Sequence, residues 1–119
     1  MENIESSEPK VIRANQFILE DKNGKIGAEL YMGRCGPALV LFDETGKPRV
    51  ALTVNKFGAE LHLLDKNTDA RALLTVANEE PGLVLNDKNG ELRVMLGLGK
   101  RGPALNLYDE TGKTIWSQP

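Results

Sequence analysis

The chain has 119 residues, a length typical of one domain, and 40% of them are apolar. It carries 15 basic and 17 acidic residues, for a net charge of −2, and only 5% of its residues are aromatic. This composition lacks the basic surface and the base-stacking side chains that nucleic-acid binding requires, so we expect no nucleic-acid partner.

The first ten residues are polar and acidic. They contain no apolar run that would form a signal peptide or a membrane-spanning segment. We therefore expect residues 1–10 to be a disordered lead-in, residues 11–119 to form a single domain, and the protein to have no membrane partner. Cys35 is the single cysteine, which excludes a disulfide within the chain and makes a cytoplasmic location the simplest expectation.

From residue 11 onward the sequence repeats every 22 residues. The repeat is marked by five aspartates, each preceded by leucine two residues earlier: Asp21, Asp43, Asp65, Asp87 and Asp109. Four of the aspartates are followed three residues later by glycine: Gly24, Gly46, Gly90 and Gly112. The five copies align without a gap, which predicts a tandem-repeat protein.

Each repeat predicts one β-hairpin. Residues 39–42 and 49–54 alternate in the manner of strands, and the Asp-x-x-Gly segment between them fits a type I turn followed by a G1 bulge. Segments 33–36, 55–58 and 99–102 end in glycine and form the turns at the other end of the strands. The predicted fold is an all-β antiparallel meander of about five 22-residue β-hairpin repeats. The alternatives are stacked layers, a prism-like assembly or a closed barrel.

Two turns depart from this pattern. Thr68 occupies the glycine position of the third repeat, and segment 77–80 contains no glycine. A β-branched residue in the left-handed region is unfavourable. Either these turns change type through Asn67 and Asn78, or the third repeat is strained.

The repeat pattern L-x-L-x-D-x-x-G-K-x-R, closed by Ile-Trp-Ser-Gln-Pro at 115–119, resembles a loose group of uncharacterised bacterial tandem β-hairpin repeat proteins. The resemblance covers roughly residues 11–119 and implies the same repeat architecture. It implies no catalytic residues. Trp116 takes a position held elsewhere by alanine or valine, so we expect its ring to cover the open end of the apolar layer.

The repeated aspartates are the most regular polar residues. Segments 21–24 and 87–90 faintly resemble calcium loops, but a lysine interrupts the ligand spacing and the later bidentate carboxylate is missing. Capping of the turn explains these aspartates better. Arg49, Arg71 and Arg93 share one position of the repeat, and we expect them to pair with turn acids rather than to bind an anionic ligand.

His62 and Cys35 are the remaining candidates for chemistry. His62 lies on a half-apolar predicted strand without an evident triad partner, so it is predicted to be structural. Cys35 lies beside Arg34 in a turn, where a reactive thiol and an incidental turn residue are equally good interpretations. We predict no catalytic, cofactor-binding or metal-binding residues, and a protein that is not an enzyme.

The predicted turns also fix a register. Counting from them gives the pairs Asp43–Lys47, Leu41–Arg49, Leu39–Ala51, Thr53–Leu61 and Leu52–His62. This register makes both faces of the sheet apolar, and a monomer would leave one face exposed. We therefore expect a homo-oligomer, a trimer or a dimer.

The predicted function is a non-catalytic structural or protein–protein interaction module that self-associates and accepts a protein partner. The alternative is a small-molecule or saccharide-binding β-module, in which the turn-lined edge would present repeated sites.

Overall fold

The computed structural model describes residues 8–119, and every regular element in that range is a β-strand. The strands are β1 Gln16–Glu20, β2 Ile26–Gly33, β3 Gly36–Phe42, β4 Pro48–Asn55, β5 Gly58–Leu64, β6 Ala70–Ala77, β7 Glu80–Asn86, β8 Leu92–Gly99, β9 Gly102–Tyr108 and β10 Thr114–Gln118. They form one antiparallel sheet in which each strand lies beside its neighbour in sequence. The predicted all-β meander of hairpins is confirmed.

The sheet is open. Its order runs from β1 to β10, and these two edge strands do not pair with each other, so the closed barrel does not form. Residues 8–15 precede β1 and are exposed, without regular structure. Most of the predicted lead-in, residues 1–7, lies outside the described part of the chain.

The Asp-x-x-Gly segments form the turns inside each hairpin. The Asp43 amide donates to the Lys47 carbonyl at 2.8 Å, and the Gly46 amide donates to the Asp43 carbonyl at 3.0 Å. Gly46 has φ of 86°, a left-handed conformation that glycine adopts without steric cost. These bonds are those of the predicted type I turn with a G1 bulge, and they confirm the Asp43–Lys47 pair.

Beyond this turn the register differs from the prediction. The observed pairs are Phe42–Pro48, Leu41–Val50 and Leu39–Leu52. Arg49 is left out of the ladder by a second bulge, so the predicted pairs Leu41–Arg49 and Leu39–Ala51 are wrong by one residue. The same shift next to the turn occurs in all five hairpins.

Two-residue loops join one hairpin to the next. The pairs that flank them are Gly33–Gly36, Asn55–Gly58, Ala77–Glu80 and Gly99–Gly102. Because these loops contain no bulge, the neighbouring pairs are Leu52–Leu61 and Thr53–Glu60, and the predicted Leu52–His62 and Thr53–Leu61 are wrong. Gly58 is required here: its φ is 141°, and an added Cβ would collide with the Val76 carbonyl oxygen.

The two turns without glycine behave differently from each other. Thr68 keeps the conformation of the other Asp turns, with φ of 67° and its amide 2.9 Å from the Asp65 carbonyl. The third repeat is therefore strained at this residue. The turn at 77–80 changes type instead, because Asn78 and Glu79 both have positive φ, at 52° and 69°. Each of the two alternatives offered by the sequence holds at one turn.

The isolated chain has almost no core. Among the described residues only Ala28 and Ala38 are buried apolar residues, and no large side chain is fully buried. The Cα radius of gyration is 19.8 Å, whereas a compact domain of this length has about 13.5 Å. One chain thus supplies one layer, and it leaves side chains exposed that a globular domain would bury.

Candidate interaction surface

The five turn aspartates are hydrogen-bonded caps. Asp43 Oδ1 accepts the amides of Thr45, at 2.8 Å, and Lys47, at 3.1 Å. The same two bonds, to the second and fourth following residues, occur at the other four aspartates. The interpretation as turn caps is confirmed, because Oδ1 of each aspartate accepts two amides of its own turn.

These bonds favour the ionised carboxylate. The Thr45 hydroxyl and the Lys47 amide lower the pKa of Asp43 to about 2. The Lys25 and Asn23 amides lower the pKa of Asp21, and equivalent bonds lower the pKa values of the other turn aspartates below the ordinary value of 3.8. At neutral pH each of the five turn aspartates is therefore ionised. Across residues 8–119, no group of three histidine, cysteine or acidic side chains lies close enough to hold a metal ion.

The three arginines bind neighbouring hairpins together. Their Nε atoms donate to main-chain carbonyls 15 residues ahead, Arg49 to Leu64 at 2.9 Å, Arg71 to Asn86 at 2.8 Å and Arg93 to Tyr108 at 2.8 Å. Each guanidinium also reaches the aspartate of its own turn, at 3.4 to 3.5 Å. The predicted pairing with turn acids is confirmed. The bulge that removes these residues from the ladder frees them for this contact.

The other two candidates, His62 and Cys35, lie in different parts of the sheet. His62 Nε2 lies 2.8 Å from Glu60 Oε2 on the same strand. Cys35 is exposed in the loop between β2 and β3. The two residues are on separate elements of the sheet.

One face of the sheet is apolar except at Gln118. Side chains alternate along a strand, so the observed register collects odd-numbered residues of the odd strands and even-numbered residues of the even strands on the same side. We call this side the apolar face, and it consists of three rows that cross the strands.

The turn row lies nearest the Asp turns and contains Leu19, Ala28, Leu41, Val50, Leu63, Ala72, Leu85, Val94, Leu107 and Trp116. The central row contains Phe17, Leu30, Leu39, Leu52, Leu61, Leu74, Leu83, Leu96, Leu105 and Gln118. The far row contains Met32, Pro37, Val54, Ala59, Val76, Pro81, Leu98 and Pro103. Gln118 is the one polar residue of these rows, and no row contains a charge.

The large side chains of the apolar face are exposed. Met32 is 65% exposed, Leu74 is 54% exposed and Val54 is 52% exposed. Trp116 lies on this face at the edge of the sheet and is itself 44% exposed. Soluble monomers rarely expose a contiguous apolar surface of this extent, and such a surface is typical of an interaction site.

The opposite side, the mixed face, carries polar residues among apolar ones. Glu29, Val40, Ala51, His62 and Asn106 belong to its central row. The prediction that both faces are apolar is therefore wrong. The bulge after each Asp turn shifts Val50 and Leu52 onto the side of Leu41, so both aliphatic sets meet on one face.

A depression of about 540 Å³ lies on this side over the paired glycines Gly82 and Gly97. Its lining includes Val84, Met95 and Asn106. Both glycines lie within strands, where glycine is disfavoured. A Cβ would fit at either position, because its nearest neighbouring atom would be 3.7 Å away at Gly82 and 3.9 Å away at Gly97. The depression is open and shallow, and its lining combines apolar and polar groups.

No protein-family model matches this chain, and no curated protein matches it. Within residues 8–119 no helix is present that has the length and hydropathy needed to cross a bilayer. The interaction surface must therefore be interpreted from its own chemistry.

The apolar face differs from the surface predicted from the sequence. The sequence does contain a signal for this face: the leucines have even numbers in one strand and odd numbers in the next. A two-residue loop between the strands brings these leucines to the same side of the sheet.

Proposed function

We propose that this protein is a non-catalytic structural module that self-associates through its apolar face. The observation that carries this proposal is the contrast between the two faces. An antiparallel sheet that exposes one face to water is expected to bury the opposite, apolar face. In the described range, residues 8–119, the chain has no further element that covers the apolar face.

The energetic argument rests on the exposed aliphatic side chains. Burying one leucine or valine contributes about 1.5 to 3 kcal/mol relative to exposure, and the central row alone presents many such residues. Association also restores the packing that one layer lacks. A repeated, uncharged surface without convergent polar groups suits cohesion between proteins better than chemistry on a substrate.

A matched pair of substitutions tests the proposal. Leu52 lies in the central row of the apolar face and is 49% exposed, whereas the adjacent Thr53 lies on the mixed face beside Glu60. Leu52→Lys should dissociate the assembly because it places a charge in the interface. Thr53→Lys should leave the mass in solution unchanged. Size exclusion with light scattering reads the result, and equal masses for wild type and Leu52→Lys would refute self-association through this face.

A second candidate function is small-molecule or saccharide binding, supported by the depression over Gly82 and Gly97. Strand glycines often mark close approach of a ligand. A glycan array probed with the wild-type protein and with Gly97→Val separates this candidate from the first. Glycan signals that disappear in Gly97→Val, with the mass in solution unchanged, would favour binding.

A further inference from the structure

We propose that the apolar face is covered by a second copy of this chain, packed face to face about a two-fold axis that lies in the interface, perpendicular to the strands. The proposal rests on the self-association above and adds the identity of the partner and its orientation. In this arrangement each strand lies over the same strand of the partner, running in the opposite direction.

The size of the apolar face fits a dimer interface. Ten strands spaced about 4.8 Å apart, with five or six residues each on the shared surface, give a footprint of roughly 900 Å². Stable interfaces bury about 800 Å² per partner. A charged or polar partner would find no charged group and a single polar side chain, that of Gln118, in the three rows, whereas a second copy offers the same uncharged surface by symmetry.

The shape of the face is self-complementary. In the turn row, odd strands carry leucine and the even strands before β10 carry alanine or valine, as at Leu63 and Ala72, while β10 carries Trp116. In the far row the order is reversed: odd strands carry alanine or proline and even strands carry larger residues, as at Ala59 and Val76. Large and small side chains thus alternate from strand to strand in the turn row and in the far row, and the two rows alternate in opposite phase.

The perpendicular axis places large residues on small ones. It sets the turn row of one copy over the far row of the other, strand by strand. Leu63 then faces the small side chain of Ala59 in the second copy, and Val76 faces Ala72. The leucines of the central row face their own symmetry mates, at the spacing of about 10 Å that is usual for packed sheets.

An axis parallel to the strands, between β5 and β6, fits less well. It also places large residues on small ones in the turn row, because it sets each odd strand over an even strand, but it places β1 over β10. Trp116 would then lie on Leu19, and the amide of Gln118 would lie on Phe17. The perpendicular axis sets Gln118 against its own symmetry mate, where two amides can hydrogen-bond to each other.

Charge distinguishes the two axes independently. The five Asp turns, at 21–25, 43–47, 65–69, 87–91 and 109–113, contain nine acidic and six basic residues, a net charge of −3. The four loops at the other end, at 33–36, 55–58, 77–80 and 99–102, contain four basic and two acidic residues, a net charge of +2. The perpendicular axis brings the acidic end of one copy to the basic end of the other, while the parallel axis brings like charges together.

Cross-linking between turns tests the axis. Lys66 lies in the turn between β5 and β6, and Lys56 lies in the loop between β4 and β5 at the opposite end. Two variants are made in a Cys35→Ser background, one with Lys66→Cys and one with Lys56→Cys. With the perpendicular axis these two thiols lie about 11 Å apart in different copies, from the spacings of strands and sheets.

The expected result is a covalent dimer only when the two variants are unfolded together, refolded as a mixture and treated with a cross-linker of that length. Each variant alone should give none, because its two thiols lie at opposite ends of the strands. Cross-linking of Lys66→Cys alone would indicate the parallel axis, which sets Lys66 of one copy over Lys66 of the other, and would overturn the proposal, as would a mass in solution of three or more chains. If the protein is an oligomer but gives either of these results, the proposed self-association stands and only the perpendicular two-fold axis is refuted. A mass of 13.0 kDa refutes the self-association and the axis together.

Discussion

Leu41 lies directly opposite Val50, and Arg49 is bulged out of the ladder between Val50 and the turn. This offset places Leu41 and Val50 on the same face of the sheet. The bulge recurs beside every Asp turn, so the whole apolar face depends on it.

The arginine at the bulge is expected to stabilise the stacking of hairpins. Arg71 Nε donates to the Asn86 carbonyl at 2.8 Å, and we expect Arg71→Gln to destabilise the protein by about 1 kcal/mol, the usual contribution of one such hydrogen bond. Arg71→Lys should lose nearly as much, because an ammonium lacks the directed Nε–H. Urea unfolding measures both variants, and a lysine variant as stable as wild type would show that charge alone suffices.

Thr68 should be a site of easy stabilisation. Its φ of 67° is unfavourable for a β-branched residue, so Thr68→Gly is expected to stabilise the protein by about 1 kcal/mol. The matched control is Gly46→Val, which introduces the same strain into the second repeat and should destabilise by at least that amount. Equal melting temperatures for wild type and Gly46→Val would contradict the turn conformation described for residues 43–47.

The 22-residue repeat, the all-β class and the Asp turns were predictable from the sequence because their signals are local. Asp43 and Gly46 act on amides within four residues of themselves. The bulge at Arg49 was not predictable in this way. The Arg49 guanidinium donates a hydrogen bond to the carbonyl of Leu64, 15 residues ahead on the next hairpin, and a contact at that separation cannot be predicted from a local sequence pattern.

The candidate surface was predictable only in part. The sequence indicated excess apolar surface, but the one-residue error in register divided it between two faces. The alternation of large and small side chains from strand to strand, as at Leu63 and Ala72, depends on the register of these strands and could not be predicted without it.

Acid should weaken the turns. Hydrogen bonds from turn amides lower the pKa values of the aspartates in the folded chain below the ordinary value of 3.8, with Asp43 at about 2. A depressed carboxylate stabilises the fold fully above its unfolded pKa, and this contribution is lost as pH falls through the folded value. We expect urea midpoints to fall between pH 4 and about 2, and the fall to be smaller in Asp43→Asn. A flat profile across that window would contradict the caps.

Removal of divalent metal should leave stability unchanged. In Asp21 and in Asp87, the Oδ1 atom already accepts two amides of its own turn. We therefore expect these two segments not to need a calcium ion for their conformation. We expect the same melting temperature with and without excess chelator. A decrease of many degrees, reversed by calcium, would restore the interpretation of 21–24 and 87–90 as calcium loops.

The native mass in solution tests the central claim most directly. Burial of the apolar face by self-association predicts a mass that is a multiple of 13.0 kDa, and two chains if the two-fold packing holds. Light scattering coupled to size exclusion, across micromolar concentrations, measures it without any substitution. A constant mass of 13.0 kDa would contradict the account, because the exposed leucines would then have to be tolerated by a monomer.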